Sequence, residues 1–229
     1  MSSIYGPEHR ILQDRFDSRR LADNVERRVV EKSINKFHRD FIEARDMFWL
    51  ATVDHQGRPT VSFKGGAPGF VRVVDQTTIA FPSYDGNGMF YSMGNIKTNE
   101  QIGMLFTDFE RPYRLRVQGA ASIDQDDPLL KEVYESQLIV RVTVTDVFRN
   151  CPRYVHRYEK SEESQYIPRE GAATPLAGWK RSEDIQADLP EKDQGRAASE
   201  GGYLGSDHQS FVSAVLSGAA GSYFVTLTG

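Results

Sequence analysis

The chain has 229 residues, enough for one domain or two with a real core. Its net charge of −4 comes from 28 basic and 32 acidic residues of interspersed sign, which offers no basic face to nucleic acid. Its single cysteine, Cys151, excludes an intrachain disulfide framework and a cysteine-cluster metal site and fits a reducing, cytoplasmic setting.

Residues 1–16, MSSIYGPEHRILQDRF, are polar and charged, with no period and no apolar stretch of a secretory signal, and read as an arm. From Asp17 or Ser18, either of which suits an N-cap, Leu21, Val25 and Val29 recur at four-residue spacing. That narrow apolar stripe predicts a charged helix packed on the body of the protein or on a partner, with its arginines in solvent. A second helix carries Ile34, Phe37, Phe41 and Ile42 on one face. Residues 47–54 (MFWLATVD) form the first strand, and His55-Gln56-Gly57 turns the chain into a second strand over 60–64. In that strand Val61 and Phe63 point one way and Thr60, Ser62 and Lys64 the other. A hydroxyl and an ammonium thus share a face beside the backbone N–H groups of Gly65 and Gly66. Such a set suits a phosphate, and a hairpin with one solvated face has the same pattern.

Residues 70–74 and 78–81 predict a hairpin around Asp75-Gln76-Thr77. The turn Asp85-Gly86-Asn87-Gly88 leads into a short helix with Phe90, Met93 and Ile96 at core spacing. Residues 102–107 and 113–123 are long strands joined by a polar turn containing Pro112. Asp127 and Pro128 open a helix with Leu129, Leu130, Val133 and Tyr134. The last strong strand is 138–148, with Leu138, Val140, Val142 and Val144 alternating against Ile139, Arg141, Thr143 and Thr145. Many short strands with turn signals predict an antiparallel barrel or sandwich. The domain plan is a helical arm (1–46), a β body (47–158), a polar arm or linker rich in Glu, Lys, Ser, Pro and Gly (159–202) and a tail (203–229). Residues 210–229 carry no charge, but Gly, Ser and Thr interrupt them too often for a transmembrane helix. The SYFVTLT string within them is an edge-strand candidate.

Four strings occur in order: SFKGGAPGFV (62–71), FPSYDGNGMFYSMGNI (81–96), RLRVQGAASI (114–123) and NCPRYVH (150–156). Together they resemble the pyridoxamine 5′-phosphate oxidase-like, FMN-binding split-barrel family over about residues 5–190. They look most like a flavoprotein branch rather than the vitamin-making oxidase. The resemblance implies a mainly β fold, a six-stranded antiparallel split β-barrel with helices packed outside. It further implies bound FMN, a homodimer with flavin sites at the interface, and oxidoreductase chemistry through flavin N5 on a small molecule. Alternatives of the same barrel class are an FMN- or haem-binding protein without turnover and a deazaflavin-dependent reductase.

Carried onto this sequence, the family's flavin contacts fall at Ser62, Lys64 and Gly65, with the fixed backbone groups of Phe63 available to the ring. Pro82 and Ser83 match a strand end bordering the ring or phosphate, and Asn87 and Gly88 a phosphate-side turn. Asn95 is either a further donor or a helix C-cap. Arg114 and Arg116 share one side of their strand, so an anion or carboxylates must sit between them. The cofactor phosphate is one such anion; Glu110, Asp124 and Asp126 are the rival partners. The chain departs from the oxidase in having Arg114 where Gln is usual and Asp85-Gly86-Asn87-Gly88 where a Ser-Arg-Lys string stands. That weakens the case for pyridoxamine phosphate as substrate. No catalytic acid stands out. Cys151 has no second cysteine to resolve it, Arg153 and Tyr154 are candidates for a pocket wall, and His156 is the best-placed histidine for a proton donor or haem ligand. Trp179 matches a C-terminal Trp of the oxidase, but too little around it matches to carry a role across. No His-x-x-x-His or Glu-x-x-His spacing, nucleophile elbow or P-loop is present.

Overall fold

The computed structural model describes residues 3–182 and 185–199. The chain divides into two compact units, Met1–Ala172 and Ala173–Gly229. The expected edge strand in the tail lies outside the described residues.

The first unit is built on one antiparallel sheet. Six strands are long: β2 (Met47–Val53), β3 (Pro59–Gly65), β5 (Thr78–Tyr84), β6 (Gln101–Asp108), β7 (Tyr113–Asp124) and β8 (Ser136–Asn150). Two have only two residues, β1 (Val30–Glu31) and β4 (Arg72–Val73). The sheet order is β3-β2-β6-β7-β8-β5-β4, with β1 also paired to β8. Strands β2 and β5 are four places apart in that order, which in a flat sheet would separate them by ~19 Å. Yet the rings of Phe48 on β2 and Phe81 on β5 lie 5.1 Å apart. The sheet is therefore rolled around one core, filled by fully buried side chains such as Phe48, Leu50, Phe81, Phe106, Leu115, Val117 and Val140. This is the split barrel expected, with two very short strands added to the six long ones.

A bulge makes the roll possible. The pairing of β7 with β8 shifts between Gln118 and Gly119, so that Gln118 faces Asp146 and Gly119 faces Val144. Thr145 is left over, and the alternation of β8 changes phase there, with Val144 and Val147 both buried. A Cβ on Gly119 would lie 2.4 Å from the Thr143 carbonyl oxygen, so only glycine fits. Past the bulge β8 leaves β5 and pairs with β1.

Helices α1 (Pro7–Arg15) and α2 (Arg19–Val29) are joined by an Arg10–Asp23 ion pair of 2.6 Å and by Glu26, which accepts from the Ile4 amide at 2.8 Å. The first of these lies in the arm of residues 1–16, where the sequence shows no period. Its start is a proline-led turn in which His9 Nδ1 accepts from the Gly6 amide, a local signal that carries no apolar period. Neither helix buries a residue, and the expected stripe of α2 is open: Leu21 and Val25 are exposed. Helix α3 (Lys36–Glu43) is capped by Asn35, whose side chain accepts from the His38 amide. The helix expected after Asp127 is a single 3-10 turn, Pro128–Lys131, and Asp127 caps it as expected by accepting from the Leu129 amide.

In the second unit, within the stretch expected to be a polar arm, two 3-10 turns (Gly178–Arg181 and Gln186–Asp188) and α5 (Glu191–Ser199) enclose a small core of Leu176, Leu189 and Ala197. A buried Lys180–Asp193 pair at 2.7 Å joins the first turn to α5. Among the described residues no helix is long and apolar enough to cross a membrane.

Candidate functional site

Strand β3 has its polarity reversed. As an edge strand it would be expected to turn Val61 and Phe63 inward and its polar residues to water. Instead Val61 and Phe63 are 68% and 62% exposed, while Thr60, Ser62 and Lys64 are half-buried. The register explains which face each side chain joins. Lys64 pairs with Phe48 and Ser62 with Leu50, so both stand on the core face; Phe63 pairs with Trp49 and Val61 with Ala51 on the outer face.

What covers the polar inner face is helix α4 (Tyr91–Thr98), which buries Met93 and Ile96 in the core and turns its other side to β2 and β3. Asn95 Nδ2 donates to Thr52 Oγ1 at 3.0 Å and to Thr60 Oγ1 at 3.4 Å, and these two hydroxyls are 2.9 Å apart. Ser92 Oγ lies 3.0 Å from Ser62 Oγ. Tyr91 donates its hydroxyl proton to Asp54, a carboxylate buried in the β2–β3 turn. The amides of Gln56 and Arg58 and the Arg58 guanidinium hold that carboxyl far below the usual carboxylate range. Asn95 is thus a clasp on two threonines, and the C-cap of α4 is Asn99. Phe90, expected in the core, is instead half exposed at the N-cap in a left-handed conformation with φ of 46°. It makes no side-chain cap, so the first amides of α4 keep their hydrogen-bonding capacity toward an incoming acceptor.

Lys64 lies two residues beyond Ser62 on the same face, ~7 Å along the strand. Among the described residues no carboxylate lies within ion-pairing distance of its ammonium, and burial pushes its pKa down. A half-buried cation, two hydroxyls and an open helix start gather on one side of β3, and this set fits an anion. The glycine loop contributes less than its composition promises. The Gly66 amide donates to the Asp46 carbonyl at 2.9 Å. A Cβ on Gly66 would meet the root of the buried Phe70 ring at 2.5 Å, so packing requires that glycine, whereas one on Gly65 would meet only the ring edge of the exposed Phe63, at 2.8 Å.

The other sequence-predicted residues fall elsewhere. Pro82 and Ser83 sit on β5 opposite Ile139 and Leu138, just before a bulge and beyond the end of β4. Asn87 is exposed and its Oδ1 accepts from the Met89 amide, and Gly88 follows with φ of 76°. Arg114 and Arg116 do share a face, but it is the outer one, since Leu115 and Val117 between them are in the core. They therefore do not meet Lys64 on one anion within one chain. Neither pairs with Glu110, Asp124 or Asp126; the Arg114 guanidinium donates to the Cys151 carbonyl. Cys151, Arg153, Tyr154 and His156 are exposed. Among the described residues no cluster of His, Cys, Asp and Glu could hold a metal ion.

Sequence reasoning missed Ser92 and a cavity of about 690 Å³ at the Gly65 end of β3. Its walls come from the starts and ends of β2, β3, β5 and β6 and from residues 158–168. That segment is held by the Tyr158 amide donating to the Phe109 carbonyl and by a Lys160–Asp46 pair at 3.0 Å. Phe63 and Gly65 line the cavity, whereas Ser62 and Lys64 do not.

Residues 34–161, more than half of the chain, match the family model described as pyridoxamine 5′-phosphate oxidase. Among solved structures, HupZ of Group A Streptococcus is 20% identical over 55% of this chain and 99% of its own, with a TM-score of 0.42. An FMN-binding protein of Syntrophomonas wolfei is 13% identical over 62% of this chain and 97% of its own, with a TM-score of 0.41. HutZ, the haem storage protein of Vibrio cholerae, is 20% identical over 48% of this chain and 89% of its own, with a TM-score of 0.37. No curated protein matches the sequence.

Proposed function

The chain belongs to the pyridoxamine 5′-phosphate oxidase family, and on that premise we propose that it is an FMN-binding flavoprotein, an oxidoreductase acting on a small molecule, with its flavin sites shared between two copies. The observation that carries the reading is Lys64. An ammonium kept half-buried with no carboxylate is costly unless an anion joins it, and the phosphate of FMN is such an anion. Lys64, Ser62 and Ser92 hold that phosphate at the open start of α4. Backbone groups of Phe63 and Gly65 stand at the ring. Bound FMN supplies a reversible acceptor of hydride or single electrons, and the chain supplies anchoring, orientation and the exclusion of water.

The dimer is supported by two features. Val61 and Phe63 form an apolar edge that an isolated chain leaves in water, and such surfaces mark contact sites. Arg114 and Arg116 stand on the face opposite Lys64, so a single flavin touching both sets has to lie between two chains. Haem gains no support, because His156 is exposed and outside the cavity.

The test is an absorbance spectrum of the purified native protein with mass spectrometry of the released cofactor, and sedimentation for its mass. Flavin bands, an FMN mass and a dimer are expected. A protein that carries no chromophore and takes up no added FMN would refute the reading.

A further inference from the structure

The cavity at the Gly65 end of β3 has a chemistry of its own. Five rings, those of Phe63, Tyr84, Phe109, Tyr158 and Tyr166, are on its walls. Phe109 and Tyr158 stack edge to face at 5.3 Å, and Phe109 meets Trp49 at 6.0 Å, so this part of the wall is braced from behind. The lining also carries seven carboxylates against two cations. Both cations are already engaged: Arg45 by Asp108 at 2.6 Å and Lys160 by Asp46 at 3.0 Å. Glu163 is taken by Lys160 at 3.6 Å and by Arg169 at 2.8 Å. Glu110, Glu159 and Glu162 have no cationic partner among the described residues. Ring faces attract cations through their quadrupole, and a cleft lined by one sign of charge concentrates the opposite sign.

We infer that this cavity binds an organic cation with an aromatic or quaternary ammonium group and turns away phosphorylated and polycarboxylate molecules. As a binding site it stands on the cavity alone. As the site of the substrate it rests on the flavoprotein reading, and there it completes a division of labour. The anion is held on the inner face of β3 by Lys64, and the organic cation is held at the outer face and end of the same strand by rings and carboxylates.

The test is calorimetric titration of the full chain with benzyltrimethylammonium, alone and in the presence of saturating phenyl phosphate, which shares its phenyl ring and differs in the sign of charge. One saturable site per chain for the cation is expected, with an affinity that saturating phenyl phosphate leaves unchanged, because the anion site at Lys64 lies outside the cavity. Glu110→Gln with Glu162→Gln, both exposed and free of fold-bearing contacts, should weaken the cation at least threefold, and Tyr158→Leu should weaken it independently. Displacement of the cation by phenyl phosphate, or cation binding indifferent to both sets of variants, would overturn the inference. FMN uptake is measured in the same sample by quenching of flavin fluorescence. Cation binding with these dependences but without FMN uptake upholds the site and removes only its assignment to an oxidoreductase.

Discussion

Replacing Lys64 with methionine should move two measurements in opposite directions. The side chain is half-buried on the core face of β3, has no carboxylate partner among the described residues, and has its pKa lowered by burial from 10.5. A lowered lysine pKa means that the unfolded chain holds the proton more tightly than the folded one. The penalty is therefore fully present below the folded value and disappears as pH rises through the folded pKa toward 10.5. Near neutral pH, Lys64→Met removes it while keeping the apolar stem, so the cofactor-free protein should unfold at equal or higher denaturant. On the proposed function the same change removes a charged hydrogen bond to phosphate, worth about 1.5–3 kcal/mol, and should weaken FMN about 10- to 150-fold. Urea unfolding of the apo protein and FMN titration by fluorescence quenching read the two effects. FMN affinity within twofold of wild type would show that Lys64 does not hold the phosphate. A clear loss of apo stability would show that its ammonium has a partner in the fold.

Asn95→Ala removes the donor to Thr52 and Thr60 and should cost about 1–3 kcal/mol of stability, read as a lower Tm, with FMN affinity unchanged; a selective loss of affinity would instead make Asn95 a ligand of the cofactor. Val61→Lys places like charges on the apolar edge of β3 and should weaken the dimer at least tenfold in sedimentation equilibrium, and an unchanged dimer would place the interface elsewhere. His38 is buried and its pKa is lowered below 6.5 mainly by burial, with Glu31 at 3.7 Å acting the other way. A depressed histidine contributes stability that is full above pH 6.5 and is lost as pH falls through its folded pKa. Urea midpoints should therefore drop on acidification below that value, and the drop should shrink in His38→Gln.

The long strands were readable because period-two patterns and turn residues repeat along the chain, and Asp127 as a cap was readable because its partner amide is two residues away. Three things were not. The start of α1 depends on a proline and a backward hydrogen bond from His9, neither of which has a hydrophobic period. The choice of barrel over sandwich depends on contacts such as Phe48 with Phe81, which join strands far apart in sequence. The faces of the candidate site residues could be grouped but not oriented. Alternation put Lys64 with Ser62, and Arg114 with Arg116, and both groupings hold. Nothing in either strand alone said that one group faces the core and the other faces out.

The reversed polarity of β3 ties these features together. A strand whose alternate faces are apolar and polar normally buries the first and wets the second. Here the polar row is turned inward, at a cost that α4 only partly offsets: Ser92 answers Ser62 and Asn95 answers Thr60, but among the described residues no carboxylate answers Lys64. The apolar row is turned outward, where Val61 and Phe63 remain in water. Each face is thus short of one occupant, and the two shortages differ in kind. The inner one is a single positive charge beside hydroxyls and a helix start, which calls for an anion. The outer one is an apolar edge of a sheet, which calls for another protein surface. On the proposed function a cofactor phosphate and a second copy of the chain would fill both, and the edge position of β3 lets both reach it. Substitutions on the two rows should therefore separate cleanly, with Lys64 acting on cofactor affinity and Val61 on assembly.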